Sequence, residues 1–193
     1  VLKVISRSRT DLQPVLDTLV KTAAELCHSE KTFLFRHVDG MYRMSAAYGW
    51  TERELAFEHA HPLSPGEGTL IGRAALLRQP VHIEDALTDP TYAFKEAQQQ
   101  LGFRSLLGVP LLRDGEPIGV FAAARNRVEP FTTKQIELMT TFADQAVIAI
   151  ENARLLNEIQ QRTRELGRSV EELTATSEIL RVIASSPGQL GPV

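Results

Sequence analysis

Apolar residues recur at three- and four-residue steps through Leu12, Val15, Leu16, Leu19, Ala23 and Leu26. This is the spacing of one helical face, so the opening segment to about Cys27 is predicted as an amphipathic helix. The period then changes to two. Residues 32–38 alternate around Phe33 and Phe35, Asp39-Gly40 turns the chain, and residues 41–48 return as a partner strand, which predicts a hairpin. From Thr51 to Gln79 the pattern loosens into a short helix, a loop punctuated by Pro62, Pro65, Gly66 and Gly68, and a second short helix capped by Thr69. Residues 81–83 read as a brief strand. Residues 89–100 read as a helix beginning after the Asp89-Pro90 breaker. Residues 105–112 and 117–125 are apolar, too short for helices of that composition and bounded by Asp114-Gly115, which predicts a second hairpin.

Everything after Thr133 reads as helix. Ile136, Met139, Ala143, Ala146, Ile150 and Ala153 form one stripe, suited to packing on a sheet or a partner helix. A second series, Leu156, Ile159, Thr163, Leu166, Val170, Leu173, Ser177, Leu180 and Ala184, makes a heptad seam flanked by charge, and its register slips by one residue from the first. A helix cannot cover such a seam alone, so a parallel homodimer is expected, with a signalling coiled coil over residues 156–186. Polar Thr163 and Ser177 in the seam, with Gly167 inside the helix, weaken it relative to an ideal zipper and suit an element that shifts between packings.

Residues 1–15 recur at 179–193 with identity at Leu2, Val4, Ile5, Ser8, Leu12, Pro14 and Val15. The expectation is an array, with residues 187–193 opening a following unit. At 193 residues with 43% apolar content, one well-filled core is the prior. A net charge of −3 gives no basic field for nucleic acid or anionic membranes, and the apolar runs are far short of the roughly 20 residues that span a bilayer. The single cysteine, Cys27, forms no internal disulfide. A cytoplasmic location without nucleic-acid or direct membrane contact is expected.

Several segments together resemble a GAF domain over about residues 10–155. They are Gly66-Glu67-Gly68-Thr69 with Ile71-Gly72-Arg73-Ala74, Gln79-Pro80-Val81-His82-Ile83-Glu84-Asp85, Phe103 through Leu111, Pro117-Ile118-Gly119-Val120, and Phe131 with Ile136 and Ala143-Asp144-Gln145-Ala146. The run Phe142 to Leu155 is similar to GAF units placed ahead of histidine kinase or nucleotide cyclase modules in bacteria. The resemblance implies an α+β fold with a central antiparallel sheet of five or six strands in a sensory domain over residues 1–155. It further implies that the first and last helices cover one face and form the dimer contact, while crossover segments roof a small-molecule pocket on the other.

Residues expected around that pocket are Phe33, Phe35, Tyr48, Trp50, Phe57, Ile71, His82, Asp85, Phe94 and Val109. Aromatic residues at strand spacing also serve as plain core, and His82 serves equally as a satisfied structural histidine. The residues imply no single ligand. The acidic pair of the cyclic-nucleotide signature is replaced by Gln135 and Ile136, and the cysteine and Asp-Ile-Pro turn of bilin-binding relatives are lacking. A sulfoxide-reductase cycle needs several thiols, and Cys27 reads as a small core residue. His59 and His61 have no third metal ligand at a recognisable spacing, and Gly66-Glu67-Gly68 lacks the flanking parts of a P-loop. No histidine follows His82 to act as a phosphoacceptor. This chain is therefore expected to sense rather than to catalyse, with the seam Leu156, Ile159, Leu166, Val170, Leu173 and Leu180 carrying the signal to an output module. A ligand-free dimerisation spacer is the alternative.

Overall fold

A computed structural model describes residues 12–184. What was read from residues 1–11 and 185–193, including most of the repeat and the unit opening at 187, lies outside the described residues. Helix α1 (Gln13–Cys27) starts with Pro14 in its first turn, where a missing N–H costs nothing. It ends at His28 in the left-handed region, and it buries Leu16, Val20, Ala23 and Cys27. Strands β1 (Lys31–Val38) and β2 (Met41–Tyr48) form the first hairpin. Its turn residues Asp39 and Gly40 have φ of 51° and 78°. Strands β4 (Ser105–Arg113) and β5 (Glu116–Arg125) form the second, with Asp114 and Gly115 at 52° and 81°. Positive φ at both central positions is the turn whose twist matches paired strands.

The short elements between the hairpins are α2 (Glu52–Ala60), α3 (Leu70–Leu77), β3 (Val81–Ile83) and α4 (Lys95–Leu101). Thr51 and Glu54 close a capping box on α2, and Thr69 accepts from the Gly72 N–H at the start of α3. The five strands make one antiparallel sheet in the order β2-β1-β5-β4-β3. The expected helix over 89–100 is shortened to α4. Residues 89–94 instead fold around the Asp89 carboxylate, which accepts from the Thr91 N–H, the Thr91 hydroxyl and the Tyr92 N–H. A short acidic side chain that bonds its own following backbone competes with helix formation.

The chain divides into two units, one ending at Glu151 and the other beginning at Asn152. In the first unit the sheet is buried on both faces. Against one face pack Leu16, Val20, Ala23 and Cys27 of α1 and Met139, Ala143, Ala146 and Ile150 of the last helix, α5 (Thr133–Ala184), over Leu34, Leu107, Val109, Leu111, Phe121 and Ala123. Against the other face pack α3, α4 and the connecting loops, over Phe33, Phe35, Leu106, Val120, Ala122 and Ala124. Gly108 permits the close seating of α3, since a Cβ there would lie 3.0 Å from Leu70 Cγ. In the second unit α5 continues as helix, and Leu156, Ile159, Leu166, Val170, Leu173 and Leu180 are between 41% and 68% exposed.

Candidate functional site

The cavity lies on the face roofed by the short helices. It is lined by Phe33 and Phe35 from β1, Leu106 from β4, Glu58 from α2, Leu70 and Ile71 from α3, and Leu63, Thr69, Tyr92, Phe94 and Phe103 from the connecting segments. Period-two alternation sends Phe33 and Phe35 to this face and Leu34 to the other. The volume open to the centre of a water molecule is about 20 Å³, room for about one water. The wall is aromatic. Phe33 meets Phe35 edge to face at 5.9 Å and stacks with Phe103 at 6.1 Å.

Two glutamates lie one turn apart on the inward side of α2. Glu54 accepts a charged hydrogen bond from the buried Lys31 ammonium at 2.5 Å and another from the Thr51 N–H at 2.8 Å, and its carboxyl is held below the usual range. Glu58 has no such partner. It is 5% exposed, its Oε2 is buried without a hydrogen bond, and burial pushes its carboxyl up to about 7 against the weaker opposing pull of His61. Burial raises the neighbouring Tyr92 phenol, and the Glu58 charge raises it further.

Salt bridges fix the roof. Arg73 grips Asp89 with two bonds of 3.0 and 3.1 Å, which anchors the turn that presents Tyr92. Arg104 grips Asp85 at 2.8 and 2.7 Å, and Asp85 also accepts from the Leu87 N–H. These contacts lower both carboxyls, Asp85 to about 2.

Of the residues expected at the pocket, Phe33, Phe35, Ile71 and Phe94 line it. Trp50 and Phe57 form its outer shell: Trp50 meets Phe33 at 5.1 Å and Phe103 at 5.8 Å, and Phe57 stacks on Phe94 at 6.3 Å. Phe57 also borders a surface groove of about 490 Å³ beside α2 and α4. The other four lie elsewhere. Tyr48 is 39% exposed at the end of β2. Asp85 serves as the loop staple just described. Val109 faces the α1 and α5 layer, because it shares parity with Leu107 and Leu111. His82 points away from its neighbours Val81 and Ile83, which belong to the cavity-side core. Its Nε2 accepts the Phe131 N–H at 3.0 Å, so it pins the segment leading into α5.

Sequence reasoning missed Glu58, Tyr92, Thr69, Leu63, Leu70, Phe103 and Leu106. The three glutamates of α2 are alike in type, and only the capping box, which fixes where the helix starts, marks Glu54 and Glu58 as sharing a face.

The GAF domain family model matches residues 11–150. A GAF domain/HD domain protein from Geobacter sulfurreducens superposes with a TM-score of 0.67 at 18% identity, over 76% of this chain and 95% of that one. The domain of a putative two-component sensor histidine kinase from Sinorhizobium meliloti 1021 gives 0.63 at 21% identity, over 77% and 96%. Residues 122 to 287 of a methyl-accepting chemotaxis protein give 0.64 at 24%, over 78% and 94%. No curated protein sequence matches the chain. Two helices on one face of a five-stranded antiparallel sheet, with a roofed aromatic cavity on the other and a family match spanning both, establish that this chain belongs to the GAF domain family.

Proposed function

We propose that the chain is a cytoplasmic sensory GAF module that pairs in parallel with a second copy and passes a conformational signal through α5 to an output module, a histidine kinase or nucleotide cyclase. The observation that carries this reading is the run of exposed apolar residues at heptad spacing from Leu156 to Leu180, interrupted at Thr163 and Ser177. In the first unit Val15 and Leu26 on α1 and Ile148 on α5 are themselves exposed apolar residues. Solved neighbours named as a sensor kinase domain and a chemotaxis protein support a regulatory role.

The input is the cavity, and the route outward is strand alternation. A ligand that displaces Phe33, Phe35 or Leu106 moves strands whose intervening residues, Leu34 and Leu107, seat α1 and α5. Coupling of this kind is typically worth about 1 to 3 kcal/mol, so the ligand has to bind the two packings differently by that amount. Catalysis is assigned to other parts of the parent protein. Cys27 offers a reductase no start, since it is buried in the α1 and α5 layer and burial raises its thiol.

The ligand-free spacer is the second reading, favoured by the small size of the cavity. Disulfide trapping of Val170→Cys in a Cys27→Ser background tests the main one. Rapid same-residue cross-linking whose rate changes when a bound metabolite is added supports a parallel sensor. Cross-linking insensitive to every metabolite favours the spacer, and no cross-linking at all contradicts both.

A further inference from the structure

The sheet and roof supply a buried cation to one glutamate of α2 and leave the other without a partner. Lys31 is committed to Glu54 and to the Leu101 carbonyl, and it lies over the rings of Trp50 and Phe103 at 5.2 and 5.4 Å. Glu58, one turn further on, borders the cavity with an oxygen that neither protein donor nor solvent reaches. A polar group left unsatisfied in an apolar site costs free energy that a well-placed donor recovers. None of the residues lining the cavity is Lys, Arg or His, so nothing there neutralises a phosphate or a carboxylate. The aromatic wall of Phe33, Phe35, Phe94 and Phe103 favours a flat apolar body, and its ring faces attract cations.

Building on the sensory reading, we propose that the cavity binds a small organic cation, an amine carried on an aromatic or similarly flat apolar body, with its ammonium donating to Glu58 Oε2. Phosphorylated and carboxylate metabolites, nucleotides included, meet no cation in this lining and are disfavoured there. The space available is about that of one water, so such a ligand enters only as the roof yields, and binding and conformational change become one event. Trp50 sits against Phe33 and Phe103 and is the single tryptophan of the chain, so its fluorescence reports entry.

The test titrates the full 193-residue chain with three probes of similar shape, 2-phenylethylamine, ethylbenzene and phenylacetate, followed by calorimetry and Trp50 fluorescence. The amine is expected to bind about tenfold or more tighter than the other two. Glu58→Gln is nearly isosteric and is checked by thermal unfolding. It is expected to weaken the amine about tenfold while leaving ethylbenzene within twofold. Phenylacetate binding as tightly as the amine, or an amine affinity indifferent to Glu58→Gln, overturns the proposed ligand class and leaves the sensory reading standing. The wild-type comparison decides this even if the variant fails to fold. If none of the probes binds or perturbs Trp50, the cavity as an input site falls, and the ligand class with it.

Discussion

Glu54 and Glu58 occupy the same face of α2, yet one is held below its ordinary pKa by Lys31 and Thr51 while the other is pushed up to about 7 by burial. The difference gives stability a pH signature. Glu58 is protonated more readily in the folded chain than in the unfolded one, so its contribution is complete below about pH 4.5 and is lost as pH rises through about 7. The size is on the order of 3 kcal/mol, and Glu58→Gln is expected to flatten that part of the curve in urea unfolding from pH 5 to 8. An unchanged slope in the variant contradicts the buried, unpartnered placement. Asp85 acts in the opposite sense and in a different window, since its lowered pKa of about 2 removes stability only as pH falls below the ordinary carboxylate range. The sequence presents Glu58 as one more surface acid. Its burial depends on how α2 seats over the sheet, which local pattern does not encode.

At the scale of elements, period-two alternation located β1, short apolar runs bounded by Asp-Gly located β4 and β5, and three- and four-residue steps located α1 and the long helix, because each rests on local chemistry. They did not assign faces within β3 and β4. Both faces of the sheet are buried, so Ser105 to Leu112 runs without the polar alternation that would tell inside from outside. Val109 is misplaced for that reason. Val81-His82-Ile83 does alternate but is too short to say which face holds the pocket, so the structural role of His82 is the one of its two readings that the structure shows.

The β5 to α5 connection carries a further device that no motif announced. Arg125, 1% exposed, donates to the carbonyls of Cys27, Glu129 and Pro130, and its guanidinium lies 4.2 Å from the Phe131 ring. Gln135 also reaches the Cys27 carbonyl, at 2.9 Å. The end of α1 is thereby tied to the start of α5, the two helices that the proposed signal moves. Arg125→Ala removes the donor to the Glu129 and Pro130 carbonyls and leaves the Cys27 carbonyl to Gln135 alone, and urea unfolding is expected to register a loss of about 3 kcal/mol. A loss below about 0.5 kcal/mol, the range of ordinary surface substitutions, contradicts the clamp.

For the whole molecule, the proposed signalling route depends on what covers α5 between Leu156 and Leu180. Each seam leucine buried in a dimer is worth about 2 kcal/mol, so replacing Leu166 and Leu173 by lysine in both copies removes four of them and weakens association by on the order of a hundred-thousandfold or more. The replacements lie in the second unit, at two residues that are both 68% exposed. The amphipathic stripe was legible from sequence because a heptad needs only spacing. The identity of the covering surface was not, because a single chain does not carry its partner. Sedimentation equilibrium from 1 to 200 μM measures this most directly. Wild type is expected to sediment as a dimer across most of that range and Leu166→Lys/Leu173→Lys as a monomer, whereas a wild-type monomer at 200 μM contradicts the pairing on which the signalling route depends.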